Sequence, residues 1–175
     1  MTASVQISVL GDGPDQIVRE MAALVAAGED LSEFNSALGL EFEAVTMDLF
    51  DLEQDVDGNA LKPSIRAKTE GGKTLTDSGR YKASITSESD ARTIRWGSNV
   101  IYAGPNNEGA TIRAKSGGKL KFQLPGGLGF RSVDEVVLPA RRVIGFGPRH
   151  EEAARDMFTE FFPGKAPGLF AGGTA

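Results

Sequence analysis

The chain is 175 residues long, carries a net charge of −5 and has no cysteine, which excludes disulfides, thiolate metal sites and cysteine nucleophiles together. No run of about 18 apolar residues is present, so no membrane-spanning helix is expected, and the N-terminus lacks the basic-then-apolar stretch that directs secretion. The charge is segregated: residues 1–61 hold 13 acidic side chains against one basic, whereas residues 62–150 hold 16 basic against 7 acidic.

Val5, Ile7 and Val9 alternate with polar residues and predict a short strand within residues 1–10. Gly11-Asp12-Gly13-Pro14 breaks it, and Pro14 suits the first turn of a helix. Ile17, Met21, Leu24 and Val25 follow at helical spacing up to Gly28. A second helix is predicted over 31–52, with Leu31, Phe34, Leu38, Phe42, Val45, Leu49 and Leu52 forming one apolar stripe. The opposite face carries Glu33, Glu41, Glu43, Asp48 and Asp51, and the two helices are expected to form a hairpin. Acidic residues near the second helix's C-terminus oppose its dipole, so a basic partner is expected nearby.

Residues 53–77 read as a loop, with a turn at Asp57-Gly58 and helix disfavoured before Pro63. A helical turn at Ser78–Lys82 leads into a strand at Ala83–Ser87, and Asp90 turns the chain into a strand at Thr93–Ser98. Ile94 and Trp96 face one side of that strand and Arg95 the other. Leu120, Phe122 and Leu124 alternate with Lys119, Lys121 and Gln123 as a further strand, and Glu135–Leu138 is a short strand ended by Pro139. Pro148 opens a last helix whose apolar stripe is Ala154, Met157, Phe158 and Phe161, and Pro163-Gly164 stops it. The order predicts an α+β domain over 1–162, with the N-terminal helical hairpin and the C-terminal helix packed on a small, mainly antiparallel β-sheet. Residues 113–132 are expected to protrude as a glycine-rich loop, and 163–175 to form a flexible tail.

Nothing in this pattern builds an active site. His150 is the sole histidine, cannot form a His-rich metal site, and reads as an exposed helix-start residue. Glu53, Asp55 and Asp57-Gly58 imitate the start of a calcium loop, but Ser64 stands where the bidentate glutamate belongs. Gly126-Gly127-Leu128-Gly129 lacks the lysine and hydroxyl of a phosphate loop. No serine has a base at hand to activate it. No catalytic residue, metal or cofactor is therefore expected.

Four segments, in order, resemble the phage virion morphogenesis family, which includes the tail-completion proteins of Mu-like phages. They are Phe50 through Asp57-Gly58 to Leu61-Lys62-Pro63, then Leu75-Thr76-Asp77-Ser78-Gly79-Arg80-Tyr81-Lys82-Ala83-Ser84-Ile85. The third is Trp96-Gly97-Ser98 with Tyr102-Ala103, Asn107-Glu108-Gly109 and Ile112. The fourth is Leu138-Pro139-Ala140-Arg141 with Gly145-Phe146-Gly147 and the closing helix. The family often has His-Gln where this chain has Asn107-Glu108, and often Trp near Leu61.

The resemblance implies a non-enzymatic virion protein, a six-fold ring at the neck or upper tail that completes or terminates the tail and joins it to the head. Its partners would be copies of itself and other neck and tail proteins, with DNA passing through the lumen without sequence-specific binding. It would assemble in the host cytoplasm, and no membrane is involved. A head-side connector or stopper is the alternative, and a DNA-binding module, suggested by the basic middle, a further one.

Within that reading Gly79, Gly97 and Gly109 are expected at tight turns where a side chain would clash, and Trp96 and Tyr102 in the core or at a subunit contact. Ring closure needs a heterologous interface. Glu41, Asp48 and Asp51 of one copy are expected to meet the basic region of the next, including Arg141 and Arg142, because opposed potentials fix register. The loop Arg113–Arg131, with Lys115, Lys119 and Lys121, is expected to reach into the lumen or onto the next ring.

Overall fold

The computed structural model describes residues 30–162. The strand expected within 1–10, the helix after Pro14 with the hairpin it would complete, and the tail all lie outside the described residues. The fold is α+β. Its elements run α1 (Ser32–Leu52), α2 (Ile65–Glu70), α3 (Arg80–Ala83), β1 (Ile85–Ser89), β2 (Ile94–Ser98), α4 (Ala103–Glu108), β3 (Ala110–Arg113), a 3-10 turn (Lys115–Gly117), β4 (Leu120–Gln123), β5 (Phe130–Val133), β6 (Glu135–Leu138) and α5 (Pro148–Phe161). The six strands pair two by two, β1 with β2, β3 with β6 and β4 with β5. None of the described helices is long and apolar enough to cross a membrane.

The described residues gather into two compact units, one of 30–45, Thr86–Gly97 and 145–162, the other of Thr46–Ile85 and Ser98–Ile144. The first is an aromatic core. Phe34, Leu38 and Phe42 recur every four residues on α1 and are buried with Trp96, Ala154 and Phe158. Phe34 meets Phe158 edge-on at 5.9 Å, and Phe42 meets Trp96 at 4.7 Å. Burying one such side chain contributes about 1.5–3 kcal/mol. The packing also explains a glycine inside α1: a Cβ on Gly39 would sit 2.9 Å from Ser87 Oγ. The Glu43 carboxylate accepts from the backbone N–H and hydroxyl of Ser87, each at 2.6 Å. β1 and β2 join through an Asp90 turn, where the carboxylate accepts from the N–H groups of Arg92 and Thr93.

His150 departs from expectation. It is fully buried rather than exposed, with its ring 5.4 Å from Phe42, 5.6 Å from Trp96 and 6.0 Å from Phe146. Burial pushes its imidazole down to about 4, because the cation loses its hydration there. Two stripe positions also differ. Leu52, the last residue of α1, is 48% exposed, and Phe161 keeps 38% of its surface in solvent although its ring meets Phe34.

The second unit relies on polar groups directed at backbone. Leu49, Phe50, Val56, Leu61, Tyr81, Val143 and Ile144 are buried, and Phe50 meets Tyr81 edge-on at 4.9 Å. The Tyr81 hydroxyl donates to Ala103 O at 3.2 Å, and burial raises its pKa. Asn107, fully buried, reads one residue on both sides: its Nδ2 donates to Ile144 O at 3.0 Å, and its Oδ1 accepts from Ile144 N at 2.9 Å. The 53–77 stretch is not all loop. Ser64 caps α2 by accepting from Ala67 N at 3.1 Å. The calcium-like carboxylates are committed to the backbone. Asp55 accepts from Asp57 N and Asn59 N, and Glu53 from Thr74 N. Among the described residues no cluster could hold a metal ion.

Candidate assembly surface

The expected site residues fall into two groups, those spent inside the fold and those left outside. Arg141 belongs to the first: it is 7% exposed, its Nε donates to Lys62 O at 2.8 Å, and its backbone N–H donates to Asn106 O. Desolvation lowers its pKa. Arg142 is the exposed member of the pair and lies 3.7 Å from Asp57. Asp51 has the basic partners expected near the end of α1, and they come from its own chain: Lys82 Nζ at 2.5 Å and Lys73 Nζ at 3.0 Å. The Lys82 hydrogen bond, then the Lys73 one, hold its carboxyl below the usual range. Glu41 is half-exposed and Asp48 exposed, and neither forms an ion pair among the described residues.

The motif glycines divide as well. Gly79 adopts φ 77° before α3, so its backbone and not a steric clash requires glycine, since a Cβ there would meet nothing within 4 Å. Gly109 also has φ 77°, and a Cβ there would lie 2.9 Å from Ala140 N. Gly97 is not at a turn; it lies within strand β2, where extended backbone needs no glycine. Trp96 is buried and Tyr102 is 38% exposed. Pro139 directly follows β6, where its missing N–H ends the ladder.

Residues 113–132, expected to protrude as a glycine-rich loop, hold a hairpin whose arms are β4 and β5. β4 and β5 pair antiparallel with Leu120 opposite Val133, Lys121 opposite Ser132, Phe122 opposite Arg131 and Gln123 opposite Phe130. Three glycines with positive φ, Gly126, Gly127 and Gly129, let the chain reverse. The tip is held to α2: Gly126 N donates to the Glu70 carboxylate at 2.7 Å, and a Cβ on Gly126 would lie 2.5 Å from Thr69 Cβ. β3 pairs with β6 in the same sense, Ala110 opposite Leu138 and Arg113 opposite Glu135.

Pairing alternates the faces of each ribbon. Leu120, Phe122 and Val133 are half-buried on one face of β4–β5, whereas Lys121, Gln123, Phe130 and Ser132 stand exposed on the other. Phe130 is 75% exposed, and Val137 on the outer face of β3–β6 is 66% exposed. Of the basic residues, Arg113 pairs with Glu135 at 2.9 Å and Lys119 with Asp134 at 2.6 Å. Lys115, Lys121 and Arg131 form no ion pair among the described residues. Sequence reading found these cations but missed Phe130 and Val137. The signal available was weak: Phe130-Arg131-Ser132-Val133 follows Gly129 directly but does not alternate apolar with polar.

The profile of the phage virion morphogenesis family matches residues 14–162. Neither a curated protein nor a solved structure matches the chain.

Proposed function

Because the chain belongs to the phage virion morphogenesis family, its role lies in building the phage particle, and we propose that it is a non-enzymatic structural subunit, akin to the tail-completion proteins of Mu-like phages, forming a six-fold ring at the head–tail junction or upper tail. In that position it completes or terminates the tail and joins it to the head, and DNA passes its lumen without being read. The observation that carries the reading is the pair of ribbons. Leu120, Phe122 and Val133 are half-buried on one face of β4–β5, while the outer faces of the two ribbons present Phe130 beside Lys121 and Val137 beside the Arg113–Glu135 pair. Exposed large apolar side chains rimmed by charge are what an assembling subunit brings to its neighbours.

The charge pattern supports a heterologous contact. Glu41 and Asp48 are the members of the expected interface set that form no ion pair among the described residues, since Arg141, Arg142 and Asp51 have partners within the chain. Negative-stain imaging of the purified protein and of particles tests the reading. Rings alone, and the protein located between head and tail, are the expected result. Particles that join heads to tails without the protein would overturn it.

A further inference from the structure

Two exposed faces of this chain each pair a large apolar side chain with charge of opposite sign, Phe130 beside Lys121 and Leu40 beside Glu41. One is the outer face of β4–β5, with Phe130 directly across from Gln123 and diagonal to Lys121. The cation on this face without an ion pair among the described residues is Lys121, since Arg131 stands opposite Phe122 on the other face and Lys119 pairs with Asp134. The other is the solvent face of α1 around Leu40, which is 62% exposed. Ser36 and Ala44, one turn either side, are exposed too, and so is Glu33, while Glu41 is half-exposed. No lysine or arginine occurs between Arg19 and Lys62, so nothing in that stretch offsets these carboxylates.

We infer that the β4–β5 hairpin of one copy docks on the α1 face of the next, with Phe130 seated on Leu40 and Ala44 and Lys121 beside Glu41. The inference rests on the ring reading above and names the surfaces that close it. Three observations favour a second copy over DNA as the occupant. Phe130 offers an apolar ring where a phosphate backbone would want only cations. Arg113 and Lys119 are already neutralised by Glu135 and Asp134. The hairpin's tip is fixed to α2 by Glu70, so a rigid, preorganised knob loses little freedom on docking. The hairpin and the helix face are different patches, so the contact is head-to-tail, and such contacts close into rings when the rotation allows.

The test is a photo-cross-link in the full chain. Phe130→p-benzoylphenylalanine, mixed with isotopically labelled unmodified protein, is expected to cross-link between copies to a peptide within residues 32–45. Phe130→Asp and Leu40→Asp should each weaken self-association at least tenfold in sedimentation, with the melting temperature unchanged because both side chains are exposed. Lys121→Glu and Glu41→Lys should each weaken it, and the double variant should recover part of the loss. Cross-links confined to one chain or landing elsewhere, with rings intact, overturn the inference and leave the ring reading standing. An unmodified protein that is monomeric at every concentration and in particles sinks both. A Phe130→Asp protein that loses duplex binding yet associates normally makes DNA the occupant and overturns the inference.

Discussion

The unit around Phe34 and the unit that carries the ribbons spend the same residue types differently. In the first, phenylalanines turn inward: Phe34 and Phe158 are 2% and 1% exposed and stack edge-on. In the second, stability comes from polar side chains aimed at single backbone groups, as Asn107 is at Ile144, and a phenylalanine is left in water at position 130. The difference teaches that the aromatic core answers to the fold, whereas Phe130 contributes little to it and is the side chain that the proposed contact uses. Truncating Phe34 and Phe130 gives the widest break between them. Phe34→Ala should cost about 3–5 kcal/mol, the range for emptying a packed aromatic site. Phe130→Ala should change stability by less than about 0.5 kcal/mol, as exposed positions do. Chemical denaturation of both variants checks this, and equal losses would dissolve the distinction.

The polar unit is tested next at Asn107. Replacing it with Ala leaves Ile144 N–H and C=O buried and unpaired, each at a cost of about 1–3 kcal/mol. A loss of about 2–4 kcal/mol is expected, approaching that of Phe34→Ala with no aromatic ring removed. Asn107→Leu should not rescue it, since volume without hydrogen bonds leaves both backbone groups stranded. A Leu variant as stable as the parent would show that packing, and not the clamp, holds this unit.

The parts legible in sequence were those with a repeating signal. The stripe Leu31, Phe34, Leu38, Phe42 and Leu49 is buried as expected, because helical periodicity and burial coincide along α1 until Leu52 at its end. The alternation of β2 and β4 held for the same reason. What stayed hidden lacked local signal. α2 has six residues and none buried, so no stripe marks it. α4 contains Gly104, Pro105 and two asparagines, poor helix formers, and tertiary contacts such as the Asn107 clamp override them. β3 and β5 are four residues long and lack the six-residue alternation over 119–124 that marked β4. Of the expected interface residues, charge could be read and pairing could not. That Asp51 is taken by Lys73 and Lys82, 22 and 31 residues away, is set by the fold.

Acid sharpens the comparison by acting on the aromatic unit through His150. Its folded pKa of about 4 lies below the ordinary 6.5, so the unfolded chain binds the proton more readily. Its neutral form fits the core, and no penalty exists above pH 6.5. As pH falls from 6.5 towards 4, stability should drop by up to about 1.4 kcal/mol per unit, approaching about 3 kcal/mol in all. His150→Phe keeps a ring among Phe42, Trp96 and Phe146 and should remove that part of the slope between pH 6.5 and 5. Parallel pH profiles for the two proteins would place the acid sensitivity elsewhere.

The smallest effect separates two glycines of the ribbon unit that share one backbone angle. Gly79 and Gly109 both have φ 77°, a conformation that costs an L-residue about 1–2 kcal/mol. At Gly79 that is the whole penalty, because a Cβ would meet nothing within 4 Å. At Gly109 the Cβ would also press to 2.9 Å on Ala140 N and 3.0 Å on Leu138 O, both backbone atoms at the end of the β3–β6 ladder. Those atoms cannot rotate away as a side-chain tip can. Gly109→Ala should therefore be the more destabilising, and it should loosen β6 as well, visible as faster amide exchange at Val136 and Leu138. Gly79→Asn should recover part of what Gly79→Ala loses, since asparagine tolerates left-handed backbone, whereas Gly109→Asn should recover nothing. Equal losses for the two alanine variants would mean that the backbone angle alone accounts for both glycines.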